Sequence, residues 1–467
     1  MKYAFLLLLL ASPALAQPAP APSPDQPPPD QGSGAEPSWL PGVQDVTAAE
    51  TATPGKLTLT MARAVELAYK QSPSARQARA AAEAAKGRVD LAKVTLMPTL
   101  GVAGTLGAGS RGSVQCIDPA ATNCGGFFSL QESSGISATA NWRITDFGQT
   151  RANIRAAQAN AEAAAATVNT NNLDIRADVE LAYLEAVARE RLIVVAEATV
   201  KSEEAHLDQA KRFVAAQAHD PIEVSQAQSR LANAQSSLAQ AQSNSAVALA
   251  NLRAAIGWLD PTRAPEVDPN WPVPADQEPP GLPDLVKQAR AQRPEIIAAD
   301  KQIQASEYGV DAAHAERRPV LSAQASSQWA PHTDNWSPDP TWSAGLTLSW
   351  QVFDGFRSRA DVRIANANLT SAKASRDALL VSLTSALEAS RAQIIANRAN
   401  VQASTEAVTA AQAELKLANA RYANGLGSQI ELADAQTAVT TAEGNLVQAQ
   451  WQLANAWAGL ERAIASP

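Results

Sequence analysis

Large side chains are scarce in this chain. Aromatic residues make up 5% of its 467 positions and three residues are Met, while Ala and Gln recur throughout. A thick core of interlocking large side chains is excluded. Close packing of helices is not, because Ala lets backbones approach. Histidine is scarce as well: His206, His219, His314 and His332 are scattered, with no HExxH run and no second ligand at metal spacing. No GxSxG, phosphate-binding loop or dinucleotide fingerprint occurs. The chain therefore reads as neither an enzyme nor a cofactor carrier. Its net charge of −8 argues against nucleic acid as a partner, since phosphate binding wants a basic face. No apolar run reaches the ~20 residues that a membrane-spanning helix takes, so any insertion into lipid has to use strands.

Cysteine is limited to Cys116 and Cys124. In an exported protein an isolated close pair is expected to form a disulfide. The other reading, two ligands of a metal, lacks a nearby His. Export itself is read from the start of the chain. Lys2 supplies the positive end, Phe5 to Leu10 the apolar run, and Ala14-Leu15-Ala16 the small-residue cleavage site before Gln17. No Cys follows that site, so a lipid-anchored N-terminus is not expected. Residues 1–16 are thus a signal peptide. Residues 17–55, with Pro27-Pro28-Pro29 at their centre, are a Pro-rich arm expected to be extended and poorly ordered.

What the chain does have, it has twice. Pro73 and Pro98 recur as Pro294 and Pro319, a shift of 221. Trp142, Asp146, Arg151 and Arg155 recur as Trp350, Asp354, Arg359 and Arg363, a shift of 208. The expected repeats are 56–259 and 284–465, joined by a second Pro-rich stretch at 260–283. The first repeat carries 13 extra residues where Cys116 and Cys124 lie, an insertion at a hairpin tip that a disulfide restrains.

Each repeat holds two segments of strict alternation. Leu100, Val102 and Leu106 oppose Thr99, Gly101 and Thr105; Ile136, Ala138, Ala140, Trp142 and Ile144 oppose Ser137, Thr139, Asn141, Arg143 and Thr145. Leu321, Ala323, Ala325 and Trp329 follow in the second repeat, then Trp342, Ala344, Leu346, Leu348, Trp350 and Val352. Period two with one apolar face predicts strands. Two readings fit: a soluble sheet over a core, or barrel strands of ~9–11 residues with lipid outside. Trp near segment ends suits an interfacial girdle.

The helices are the stronger signal. Residues 148–218 and 355–424 contain no Pro, and ~70 helical residues at ~1.5 Å each run ~105 Å. The returning segments carry a seam stepping by three and four. It runs Val224, Ala227, Leu231, Ala234 and Leu238 in one copy, and Leu432, Ala435, Val439, Ala442 and Leu446 in the other. Heptads sustained this long predict coiled-coil packing. Asn424-Gly425 stops one long helix, and Ser428 with Glu431 forms a capping box for the next. Asp220-Pro221 with Glu223 repeats that arrangement in a turn that is one residue longer and lacks Gly. Four strands cannot close a barrel, which takes about eight, and open edges are not tolerated in lipid. Sister chains must therefore share the barrel.

The chain resembles the TolC-like outer membrane factors of tripartite efflux pumps and type I secretion systems. The duplicated frame carries the resemblance, with the Trp-x-[Ile/Val]-x-Asp strand ends at 142–146 and 350–354. Arg-aromatic pairs at 212–213 and 421–422, and the helical starts at Ser72-Pro73 and Arg293-Pro294, add to it. It implies a mainly α fold with a transmembrane β-barrel contribution. Four strands per chain make a trimeric 12-stranded barrel, continuous with a coiled-coil tunnel. It implies a passive exit duct in the outer membrane, with a periplasmic helical tunnel, a periplasmic adaptor and an inner-membrane transporter as partners. Glu431 and Asp434 match the acidic residues of a constricting periplasmic aperture. For Glu431, helix capping is the competing reading; for Asp434, a solvated face. Arg212, Phe213, Arg421, Tyr422 and Gly425 match adaptor-facing tips, where a surface pair or a helix-end charge accounts for the arginines equally well. A soluble periplasmic coiled-coil adaptor or scaffold is the alternative function. A lipid-exchanging helical protein does not account for four alternating strands.

Overall fold

The computed structural model describes residues 58–111, 129–217, 220–259, 266–268, 270–271, 278–332 and 335–465. The signal peptide, the Pro-rich arm and the Cys116–Cys124 pair lie outside the described residues. The first half runs β1 (Thr58–Leu59), α1 (Met61–Gln71), α2 (Pro73–Val94), β2 (Thr99–Arg111), β3 (Ser129–Thr145), α3 (Gln149–Ala215) and α4 (Ile222–Ile256). After β4 (Glu266–Val267) the second half runs α5 (Leu282–Gln292), α6 (Pro294–Ala315), β5 (Val320–His332), β6 (Asn335–Ser349), α7 (Arg357–Ala423) and α8 (Gln429–Ile464).

Local chemistry sets the element ends. Ser72 and Arg293, each before a proline, are extended, and Pro73 and Pro294 occupy the first positions of α2 and α6. The two Pro-free stretches become helices of 67 residues each, ~100 Å long. The seam is as expected: Ala227, Ala234, Ser245, Ala248 and Leu252 are buried on α4, and Leu432, Ala435, Val439 and Ala442 on α8. Helix α4 packs along α3, α8 along α7, and α8 also along α3. Two boundaries differ from expectation. Strand β6 stops at Ser349, so Trp350 and Val352 lie beyond it; the Trp350 indole instead donates to the Arg317 carbonyl at 3.1 Å, at the end of α6. Helix α4 starts at Ile222, so Pro221 stands at its cap rather than inside it.

The duplication is visible atom by atom where sheet meets helices. Trp142 Nε1 donates to the Leu96 carbonyl at 3.0 Å, the counterpart of the Trp350 bond. Asp146 accepts from the Thr150 amide at 2.9 Å and Asp354 from the Ser358 amide at 2.9 Å; the Thr150 hydroxyl donates to Asp146 as well. Each Asp thereby caps the first turn of a long helix. Between Asp and helix the chain takes two left-handed residues, Phe147-Gly148 in one copy and Gly355-Phe356 in the other. Burial pushes the Asp146 carboxyl up, but the Thr150 bonds outweigh it and hold it below the ordinary value. The Ser358 bond lowers Asp354 likewise.

Strands β2-β3-β5-β6 form one antiparallel sheet in that order. Helices do not cover it. Leu100, Val102 and Leu106 on β2 are 77%, 71% and 92% exposed, and Trp342, Leu346 and Leu348 on β6 are 80%, 70% and 64% exposed. Register places Leu100 beside Ala140, Ala140 beside Ala325 and Ala325 beside Ala344, so the apolar residues share one face. Thr139, Ser326 and Ser343 line the other. Strands β2 and β6 each keep one unpaired edge.

The larger cores lie elsewhere. Leu59, Val179, Tyr183, Leu252 and Ile256 pack where α1, α3 and α4 meet, and Leu285, Leu387, Ile394 and Leu453 where α5, α7 and α8 meet. Tyr183 ties the parallel β1–β4 ladder down, donating to the Leu59 carbonyl at 3.0 Å and accepting from the Asp268 amide at 3.2 Å.

Candidate functional site

The far ends of the long helices, opposite the sheet, gather the residues singled out at the turns. The α7–α8 turn passes through Gly425 at φ +69°. The α3–α4 turn places Gln217 at φ +57° in the corresponding spot, which explains how a Gly-less turn still reverses, at the strain a side chain meets in that region. Gly427 leaves no room for a Cβ: one would stand 3.0 Å from Arg421 Cβ and 3.2 Å from the Tyr422 amide nitrogen.

The two turns are joined to one another. Phe213 meets the Tyr422 ring edge to face, centroids 5.6 Å apart, over a small core of Ala418, Leu432 and Ala435. The Tyr422 hydroxyl donates to Glu223 Oε2 at 2.9 Å, and Gln429 donates to the Glu223 carbonyl at 3.1 Å. Tyr422 is 2% exposed. Burial and then the Glu223 bond push its hydroxyl up to about 12, so it remains a donor throughout the physiological range.

The remaining residues divide. Ser428 Oγ accepts from the Glu431 amide at 3.1 Å, the forward half of the expected capping box. The Glu431 carboxylate does not complete the box; it turns to Arg421 Nε at 3.2 Å. Arg421 also donates to the Leu426 carbonyl at 3.4 Å, clasping its own turn. Asp434 is exposed one turn further along α8. Arg212 stays on its own helix, donating to the Asp208 carbonyl at 3.2 Å. Phe213 and Tyr422 are brought together; Arg212 and Arg421 serve separate turns.

Sequence reasoning gave Glu223 a capping role and missed its bond to Tyr422, which joins residues 199 apart. It also missed a buried polar layer above the tips. Ser202 donates to Gln436 at 2.9 Å and contacts His206 Nε2 at 3.3 Å. Glu203 Oε2 and His206 Nδ1 are buried without a hydrogen-bond partner. Burial raises the Glu203 carboxyl and lowers the His206 imidazole. Only their phase on α3, facing the α4 and α8 seams, could have marked them.

A family described as Outer membrane efflux protein matches residues 64–258 and 285–466. Among named relatives, Protein CyaE of Bordetella pertussis is 29% identical over 385 residues, covering 81% of this chain and 78% of that protein. The crystal structure of a membrane protein from Pseudomonas aeruginosa superposes with a TM-score of 0.72 at 22% identity, covering 86% of this chain and 93% of that one. The CmeC outer membrane channel of Campylobacter jejuni superposes with a TM-score of 0.72 at 15% identity, covering 89% and 90%.

Proposed function

The chain belongs to the outer membrane efflux protein family, and from that premise we propose that it is an outer-membrane channel. It acts as the passive exit duct of a tripartite efflux pump or type I secretion system. The carrying observation is the four-stranded sheet, apolar on one face, covered by no helix and open at both edges, joined directly to two ~100 Å helices. A soluble protein does not leave such a face in water, and lipid does not tolerate such edges. Three copies supply twelve strands, one barrel, and a helical tunnel running into the periplasm.

The remaining assignments follow. Residues 1–16 direct export and are removed; repeats 56–259 and 284–465 build the duct; Cys116 and Cys124 bridge the insertion between β2 and β3. The tips, with Phe213, Tyr422 and Gly425, face a periplasmic adaptor that links them to an inner-membrane transporter, and that partner supplies the energy.

Glu431 and Asp434 line the periplasmic aperture. Three copies bring six carboxylates to one narrow opening, where mutual repulsion attracts cations. The two are unequal in this role. Glu431 is partly neutralised by Arg421 at 3.2 Å, whereas Asp434 is exposed and carries more of the field. In single-channel recordings Asp434→Asn is expected to lower cation selectivity more than Glu431→Gln. Unchanged selectivity in Asp434→Asn removes that residue from the aperture.

A further inference from the structure

The internal repeat does more than resemble itself; it transfers pair by pair. Shifting β2 by 221 and β3 by 208 carries the twelve register pairs from Thr99↔Asn141 to Ser110↔Leu130 onto pairs of β5 with β6, from Val320↔Ser349 to Pro331↔Pro338. One joint in the chain then has no counterpart within it. Strand β3 pairs with β5, and α3 packs along α6, but the equivalent edges, β6 and β2, stand free.

We infer that a second copy of this chain occupies that joint, β6 of one against β2 of the next, in the register that β3 and β5 already use. The inference rests on the duct reading above and adds its residue-level partner surface. Transferring Thr139↔Ser326 places Thr347 opposite Thr105 of the second copy, and transferring Ala138↔Ser327 places Leu346 opposite Leu106 of the second copy. Two checks support the transfer. First, β6 runs antiparallel to β2 by strand order, so the ring closes without a parallel pair. Second, Leu346 and Leu106 both lie on the apolar face, and Thr347 and Thr105 both on the polar one. A slip of one residue would put apolar residues beside polar ones.

The joint between copies is not a replica in its side chains. Within the chain, Arg318 Nη1 donates to the Phe147 carbonyl at 2.5 Å, Lys301 pairs with Glu162 at 2.7 Å, and Arg155 lies over the Tyr308 ring at 5.9 Å. The transferred positions hold Met97 against Gly355, Ala80 against Thr370, and Gly87 against Arg363. A Cβ on Gly87 meets nothing within 4 Å in the single chain, leaving room for a close neighbour. The joints between copies thus lack the polar fasteners of the joint within each.

Cysteine pairs test the register in the full-length protein in membranes, with Cys116→Ser and Cys124→Ser removing native thiols. Directly opposed residues of antiparallel strands sit ~4.5–5.5 Å apart at Cα, within disulfide reach. Thr105→Cys with Thr347→Cys, and Leu106→Cys with Leu346→Cys, sample both kinds of opposed pair. On oxidation at least one is expected to convert monomer into dimer and trimer bands that survive boiling in SDS. The in-chain equivalent, Thr139→Cys with Ser326→Cys, loses its free thiols yet stays at monomer size. Thr105→Cys with Gly345→Cys, two residues out of register, is expected to cross-link several-fold less. Native mass spectrometry of the same samples reports copy number separately. Three copies with stronger out-of-register cross-linking, or with none at either in-register pair, overturn the register and leave the duct standing. A single copy overturns both.

Discussion

Tyr422 shows how much one side chain decides at the tips. Its ring rests on Phe213 and its hydroxyl reaches Glu223, so it holds two turns that are far apart in sequence. Tyr422→Phe keeps the ring contact and removes the hydroxyl, leaving the Glu223 carboxylate without that donor. The loss is about 1–2 kcal/mol at the tip of each copy. In bilayer recordings this variant is expected to open more often or conduct more than the parent; identical traces would show that the hydroxyl does not restrain the opening. The Arg-aromatic signature marked Tyr422 in the sequence, and Ser428 with Glu431 marked a cap. The bond to Glu223 was not legible, because it depends on how two turns are apposed. Nor was the Arg421–Glu431 pair, which spans a reversal rather than one helical face.

The long helices begin at Asp146 and Asp354, and their caps make the barrel–helix junction an element-level joint. Asp146 is 3% exposed and accepts from both the amide and the hydroxyl of Thr150. Asp146→Ala is expected to cost about 1 kcal/mol of stability, read as a lower thermal midpoint at pH 7. Because the folded carboxyl lies below its ordinary value, the cap's contribution is complete above the unfolded value near ~3.9. It fades as pH falls through the folded value, so parent and variant are expected to converge below about pH 4. A gap that persists there contradicts the capping account. Helices and strands were legible at this scale because period and proline placement are local. The end of β6 was not. Alternation continues through Trp350 and Val352, but the Trp350 indole is drawn to the Arg317 carbonyl and the ladder stops at Ser349.

At the scale of the whole molecule, a single chain is an incomplete object. Its sheet is apolar on one face without cover, and it ends in two unpaired edges. Its main cores lie among the helices, between sheet and tips. Duplication was the legible part: offsets of 208 and 221 in sequence reappear as matched strand registers and matched indole and carboxylate bonds. The choice between a soluble sheet and a membrane wall was not legible from alternation, since both show period two. The absence of any helix packed on the sheet favours the wall. The direct measurement is the mass of the full-length protein extracted from membranes and released from detergent micelles in a native mass spectrometer. Three copies that precipitate when detergent is withdrawn are expected; a single copy that stays dissolved without detergent would contradict the account.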